Sequence, residues 1–177
     1  MSQLKVNSIV PVAGAPTGGA GGIIQVKQTL KTDAFDSNQS SFEDITGMSV
    51  AITPINSNSK ILVTIDLCYG GQQNGYYLFK LFRNSTHIGV STAVSLSNQL
   101  NGTFGAAVGN GDNEFYKLHN ACYTILDDAQ DTNVHTYKIQ VYTYDTRYFY
   151  LNRPYNNDNY AYIMGGTSTI TAMELSG

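Results

Sequence analysis

The chain has 177 residues, 10 Lys+Arg against 13 Asp+Glu, and a formal net charge of −3. That length suits one domain whose core needs no disulfide or metal to hold it. Only 13% of the residues are charged, about half the usual share of a soluble domain, and the absence of a basic run excludes a phosphate-driven nucleic-acid binder. No stretch approaches the roughly 20 apolar residues of a membrane helix. The N-terminus, MSQLKVNSIVPVAGAP, lacks the basic-then-apolar order of a signal peptide, so neither a membrane span nor secretion is expected.

Residues 1–22 differ from the rest. MSQLKVNSIV carries Leu4, Val6, Ile9 and Val10 as apolar points, and PVAGAPTGGAGG then puts two prolines and five glycines into twelve residues. Such a segment holds no helix and reads as a tether. Apolar points ahead of a tether read as a short docking arm; a frayed terminus is the alternative. The expected division is an arm and tether at 1–22 and a single domain at 23–177.

From residue 23 onward, period-2 patterns dominate. In IIQVKQTLK, Ile24, Val26, Gln28 and Leu30 share one face, and Gln25, Lys27 and Thr29 the other. DAFDSNQSS reads as a polar loop, FEDITGMSVAITP as short strands ending at Pro54, and INSNSK as a turn. KILVTIDLCYGG is the strongest strand, with Ile61, Val63, Ile65 and Leu67 against Leu62, Thr64, Asp66 and Cys68. NGYYLFKLFRN and THIGVSTAV form a hairpin about Asn84-Ser85, and residues 97–114 form a long Gly/Asn loop with one weak strand. FYKLHNACYTILDD is a long strand. VHTYKIQVYTYD alternates His135, Tyr137, Ile139, Val141 and Thr143 against Thr136, Lys138, Gln140 and Tyr142. TSTITAMEL closes the chain with Ile170, Ala172 and Glu174 opposite Thr171, Met173 and Leu175. Eight to ten strands at short spacing, with no helical period, predict an all-β antiparallel sandwich or jelly roll.

Catalytic and metal chemistry is thinly represented. His87, His119 and His135 fall on separate predicted strands. Asp127, Asp128 and Asp131 crowd a turn, LDDAQDTN, whose oxygens are candidates for a cation, but the spacing matches no calcium loop and turns favour Asp for backbone reasons. Asp145 and Asp158 are the one carboxylate pair to nominate for glycoside hydrolysis. Cys68 and Cys122 have no zinc-ligand spacing and read as buried free thiols. No enzyme activity, cofactor or metal is expected.

Tyrosine stands out. Most of the 13 tyrosines fall between Thr136 and Met164. Tyr142, Tyr144, Tyr148, Tyr150, Tyr155 and Tyr160 lie near Arg153, Asn157 and Asp158. Tyrosine offers rigid contact area with a polar tip. Beside amides, carboxylates and Arg it suits either a sugar-binding surface or a packed interface.

Two stretches, MSQLKVNSIVPV…GGIIQV at the start and TSTITAMEL at the end, with the turn at Arg83–Thr86 and the Tyr-rich late strand between them, resemble small virion structural proteins of tailed phages, especially those infecting cyanobacteria. In these, a docking segment and a Gly-rich spacer precede a domain similar to the C1q/tumour-necrosis-factor jelly roll. The resemblance implies a homotrimer in the virion, held to other virion proteins through Leu4, Val6, Ile9 and Val10. Cys68, Cys122 and the NRPYNNDNY segment are not part of that pattern. A surface poor in charge and rich in tyrosine independently favours self-association. The expected role is a tail or neck fibre or knob whose Tyr-rich loops face a host surface glycan. A capsid decoration protein is the first alternative, to be told apart by copy number per particle. A carbohydrate-binding module unrelated to virions is the second.

Overall fold

The computed structural model describes residues 22–93 and 97–177. The expected docking residues Leu4, Val6, Ile9 and Val10, and all of the tether but Gly22, lie outside the described residues. Those described form eleven strands: β1 (Ile23–Lys31), β2 (Phe35–Ser37), β3 (Glu43–Ile52), β4 (Lys60–Gly71), β5 (Tyr76–Arg83), β6 (Thr86–Ile88), β7 (Phe104–Ala107), β8 (His119–Asp127), β9 (His135–Thr143), β10 (Phe149–Leu151) and β11 (Ser168–Leu175). Single 3₁₀ turns lie at Glu114–Tyr116 and Tyr144–Thr146.

Alternation decides which side of each strand is buried. On β4, Ile61, Val63, Ile65 and Leu67 are fully buried, and on β9 the set His135, Tyr137, Ile139, Val141 and Thr143 is buried. Tyr77, Phe79 and Leu81 of β5, Ile45, Met48, Val50 and Ile52 of β3, and Ile170 and Ala172 of β11 complete a core between two sheets. Every pairing is antiparallel.

The registers show that three pairs of strands are halves of broken lines. Along one edge of β4, Leu175 to Thr169 lie opposite Lys60 to Asp66, and Leu151 to Phe149 continue opposite Tyr69 to Gly71. β10 and β11 are therefore one line that residues 152–167 leave and rejoin. β1 and β2 track the same break, Lys31 opposite Ser168 and Phe35 opposite Leu151. On the second sheet, Ile88 lies opposite Leu81 and Phe104 opposite Phe79, so β6 and β7 form one line from which residues 89–103 depart. Rejoined, the eleven strands make eight lines. Sheet one runs β1/β2, β10/β11, β4, β8; sheet two runs β3, β9, β5, β6/β7. This is an antiparallel jelly-roll sandwich, as the alternation predicts.

A break in a strand line leaves N–H and C=O groups of the neighbouring strand without partners, at roughly 1–3 kcal/mol each if buried. Side chains replace the missing ladder. At the exit from sheet one, the Cys68 N–H donates to Ser168 Oγ (3.0 Å), and the Ser168 hydroxyl donates to Asn152 Oδ1 (2.7 Å). The Asn152 N–H donates to the Cys68 carbonyl (2.8 Å), and Gly166 N–H closes the neck on the Asn152 carbonyl (2.9 Å). Asn152 Nδ2 donates to the carbonyls of Lys31 and Asp33, both at 2.9 Å, across the kink between β1 and β2. Asn152 has φ +65°, a left-handed conformation that Asn tolerates better than most residues. At the exit from sheet two, Thr103 does the same work. Its N–H donates to the Phe79 carbonyl (2.7 Å), its Oγ1 accepts from Leu81 N–H (2.9 Å), and its hydroxyl donates to the Ile88 carbonyl (3.0 Å).

Two further polar anchors join elements distant in sequence. Glu174 is fully buried and accepts from Gln25 Nε2 (2.6 Å), Ile55 N–H (2.8 Å) and Asn56 N–H (3.2 Å). Burial pushes its carboxyl up, but these donors outweigh burial and hold it below the usual glutamate range. Asp127 accepts from Arg83 Nη1 at 2.9 and 2.8 Å and from the Tyr137 hydroxyl at 2.6 Å, tying β8 to β5 and β9.

Several local expectations are corrected. Phe35–Ser37 inside DAFDSNQSS is a strand because β10 offers it a partner. FEDITGMSVAI is one strand rather than several, its register shifting between Asp44 and Ser49 near Gly47 at φ +83°. The strand after Asn84 stops at Ile88, where the line breaks, and FYKLHN begins as a 3₁₀ turn, with strand only from His119. Cys122 is exposed and Cys68 half-buried, because both point to the outer side of sheet one.

Asn152→Ala leaves the Lys31 and Asp33 carbonyls without their amide donor and puts Ala at a left-handed φ. A loss of about 2–4 kcal/mol is expected from urea denaturation; an unchanged midpoint refutes the stitching role. The second expectation concerns acid. A group whose folded pKa is depressed contributes stability above its unfolded pKa and loses it as pH falls through the folded value. Stability therefore declines as pH drops below the ordinary glutamate range, and Glu174→Gln flattens that part of the profile.

Candidate functional site

Sheet one turns an unusual face to solvent. Directly opposed residues make ranks across it: Val26, Met173, Leu62 and Leu126, then Gln28, Thr171, Thr64 and Thr124, then Leu30, Thr169, Asp66 and Cys122. β1 is inverted relative to a normal surface strand. Gln25, Lys27, Thr29 and Lys31 share the inward register of Glu174, Ala172, Ile170 and Ser168, whereas Val26 and Leu30 point outward and are 51% and 56% exposed. The inner positions of β1 bridge to β3 through Thr29 Oγ1 on the Ser49 carbonyl (2.6 Å) and to the residue just after it through Gln25 Nε2 on the Thr53 carbonyl (2.7 Å). The polar side of β1 thus closes the edge of the sandwich, and its apolar side is left on the outside with Leu126 of β8. Contiguous apolar surface of this kind marks an interaction surface.

The predicted tyrosine cluster separates into three places. Tyr142 and Tyr144 lie on the outer side of sheet two with Tyr76, which meets Tyr144 edge-on at 6.2 Å. They line an open groove of about 870 Å³ with Leu78, Gly105, Ala106, Ala107, Asn98 and Leu100. Tyr148, Tyr150, Tyr155 and Arg153 form a second group at the base of the 152–167 excursion. Tyr148 stacks on Tyr150 at 5.8 Å, Tyr155 meets Tyr150 at 5.7 Å, and the Arg153 guanidinium lies 3.8 Å over the Tyr150 ring. Burial raises the Tyr150 phenol, with Arg153 opposing the shift. This group satisfies itself by stacking and cation–π attraction and anchors the loop.

Tyr160 belongs to a third group. It stacks on Tyr162 at 5.2 Å, and Tyr116 meets Tyr162 edge-on at 5.5 Å. Beside them, Asn113, Lys117, Leu118, His119 and Met164 border a smaller hollow of about 460 Å³. Lys117 is held by Glu114 at 2.6 Å. Asn157 and Asp158 are exposed turn residues of the same excursion, the Asp158 N–H donating to Asn156 Oδ1 at 3.0 Å.

Tyr76 and Leu78 were not marked by the sequence because strand register brings them to this face, and Leu100, Tyr116 and Tyr162 because chain segments outside the strands do. The small-residue run Gly105-Ala106-Ala107 was the signal available. Two glycines there differ in how closely they are packed. A Cβ on Gly102 would meet Leu78 Cδ1 at 2.5 Å and the Phe79 carbonyl oxygen at 2.9 Å, so packing excludes a side chain. A Cβ on Gly105 would make one tight contact, with the Tyr77 carbonyl oxygen at 3.3 Å, and an ordinary one with Leu78 Cδ1 at 3.8 Å.

The acids and histidines do not converge. His87 meets Thr103 Oγ1 at 3.1 Å, His119 packs on Tyr69 at 5.4 Å, and His135 lies 3.0 Å from Asp131. Both Asp127 oxygens are taken by Arg83 and Tyr137, and Asp145 pairs with Arg147 at 4.0 Å. Among the described residues, no group of three His, Cys, Asp or Glu is placed to hold a metal, and no helix is long and apolar enough to cross a membrane. The Cys122 thiol donates to Asp66 Oδ1 at 3.2 Å, and that carboxylate raises its pKa.

No family model matches the chain, and no curated protein matches its sequence. Among solved structures, the crystal structure of the infectious bursal disease virus VP2 subviral particle is similar over 86% of this chain and 37% of that one, with a TM-score of 0.41 and 11% identity. The chain therefore spans well under half the length of that protein.

Gly102→Ala is expected to lower the unfolding free energy measured in urea by about 1–3 kcal/mol through overpacking against Leu78 and the Phe79 backbone. Gly105→Ala is expected to cost clearly less, since its one tight contact is 3.3 Å from the Tyr77 carbonyl oxygen, against three contacts under 3.0 Å at Gly102. Equal losses at the two positions would refute the distinction.

Proposed function

We propose that the chain is a non-enzymatic structural protein of a tailed-phage virion: a trimeric tail or neck fibre or knob. Residues 1–12 attach it to other virion proteins, and the jelly roll faces outward. The inverted β1 is the observation that carries self-association. A strand that keeps Gln25, Lys27, Thr29 and Lys31 on its inner side and sends Val26 and Leu30 outward leaves apolar surface exposed in an isolated protomer. The apolar rank of Val26, Met173, Leu62 and Leu126 carries that surface as one row from β1 to β8. Covering it with further copies of the same chain removes the exposure by closed symmetry. The virion assignment draws on the sequence resemblance, with Leu4, Val6, Ile9 and Val10 as docking residues. The candidate recognition surface lies on the tyrosine-bearing groove and loops.

Sedimentation of the wild-type chain is expected to give three times the protomer mass of 19.3 kDa. The double variant Val26→Lys, Leu126→Lys, both at half-exposed positions, is expected to sediment as one protomer with an unchanged circular dichroism spectrum. Deleting residues 1–12 is expected to leave the trimer intact and to abolish incorporation into particles. A wild-type protomer mass refutes the trimer, and retained incorporation refutes the docking arm.

A further inference from the structure

We propose that the groove on the outer face of sheet two binds a neutral saccharide. This deepens the recognition part of the proposed function and rests on the body carrying a recognition surface. It does not rest on the virion assignment.

The groove is built by the sheet register and by Asn98 and Leu100. Gly105, Leu78 and Tyr142 lie directly opposite one another across β7, β5 and β9 and form its floor. Ala107 and Tyr76 form the next rank, with Tyr144 just past the end of β9. Asn98 and Leu100 supply the far rim. A volume of about 870 Å³ lies in the range of ligand sites, roughly 300–1,000 Å³.

Gly105 carries no side chain, which keeps the floor of the groove open; a Cβ there would press on the Tyr77 carbonyl oxygen at 3.3 Å and meet Leu78 Cδ1 at 3.8 Å.

The lining selects the ligand class. Among the described residues that line the groove there is no Asp, Glu, Lys, Arg or His. A phosphate, sulfate or carboxylate ligand would lose its hydration with no charge to meet it. The polar groups on offer are the phenol hydroxyls of Tyr76, Tyr142 and Tyr144 and the amide of Asn98. Tyr76 and Tyr144 are 57% and 58% exposed. A pyranose has an apolar C–H face to lie on such rings and a rim of hydroxyls to bond phenols and an amide. A lipid chain or a wholly apolar peptide would leave those polar groups unpaired, a cost that disfavours it.

Saturation-transfer NMR on the full chain provides the test, with the methyl pyranosides of glucose, galactose, mannose and N-acetylglucosamine as neutral probes and methyl glucuronoside as the charged one. At least one neutral probe is expected to show contact at millimolar concentration. Tyr144→Ala, at an exposed position, and Gly105→Val, which fills the floor, are each expected to weaken it roughly 5- to 10-fold, the loss of one aromatic or steric contact. Thermal unfolding of both variants confirms that they remain folded. The proposal is overturned if no neutral probe binds, if only the glucuronoside binds, if a proline-rich peptide binds where sugars do not, or if Tyr144→Ala leaves binding undiminished. Because binding is read on purified protein, its failure leaves particle docking untouched, and failure of docking leaves this site standing.

Discussion

The need to pair backbone N–H and C=O groups where two strand lines break governs this structure. β4 and β5 are central strands, and each loses one neighbouring strand midway. A packed sandwich does not tolerate orphaned groups there. Ser168 and Asn152 restore the pairing beside Cys68, and Thr103 restores it between Phe79 and Leu81. With those side chains in place, the chain can leave a sheet for more than a dozen residues and return in register. Both excursions follow from this device, and one of them carries Tyr155, Tyr160 and Tyr162.

The same device divides the molecule into faces with different characters. Sheet one is crossed on the outside by an apolar rank, a consequence of β1 using its polar side in the closure with β3. Sheet two carries an open groove on the outside, where Asn98 and Leu100 line a floor kept open by Gly105. The 152–167 excursion anchors itself through the Arg153–Tyr150 stack and displays Tyr160 and Tyr162 beyond it. Self-association at one sheet and ligand contact at the other are compatible, since the sandwich separates the two faces.

Much of the fold was legible because burial on a strand follows a period of two. Ile61, Val63, Ile65 and Leu67, the inward set of β9, and Ile170, Ala172 and Glu174 all sort as their alternation predicts. Two kinds of feature were not legible. Short strands such as β2 and β10 carry too few residues to show a period and exist only because a partner lies beside them. The orientation of β1 was hidden as well: its alternation is clear, but an amphipathic pattern does not say which side faces the core when a neighbouring strand can satisfy the polar one.

The candidate site shows the same limit. The sequence marked a tyrosine-rich region near Arg153, Asn157 and Asp158 and implied one surface. The fold distributes those residues over three, and brings Tyr76 and Leu78 from β5 and Leu100 from the first excursion to stand beside Tyr142 and Tyr144. Composition and alternation, being local, determined the all-β class, the core positions and the scarcity of catalytic groups. Only the tertiary structure decided which strands adjoin, where the lines break and which aromatic rings share a groove, because cross-strand register pairs residues far apart in the chain and no local pattern encodes that pairing.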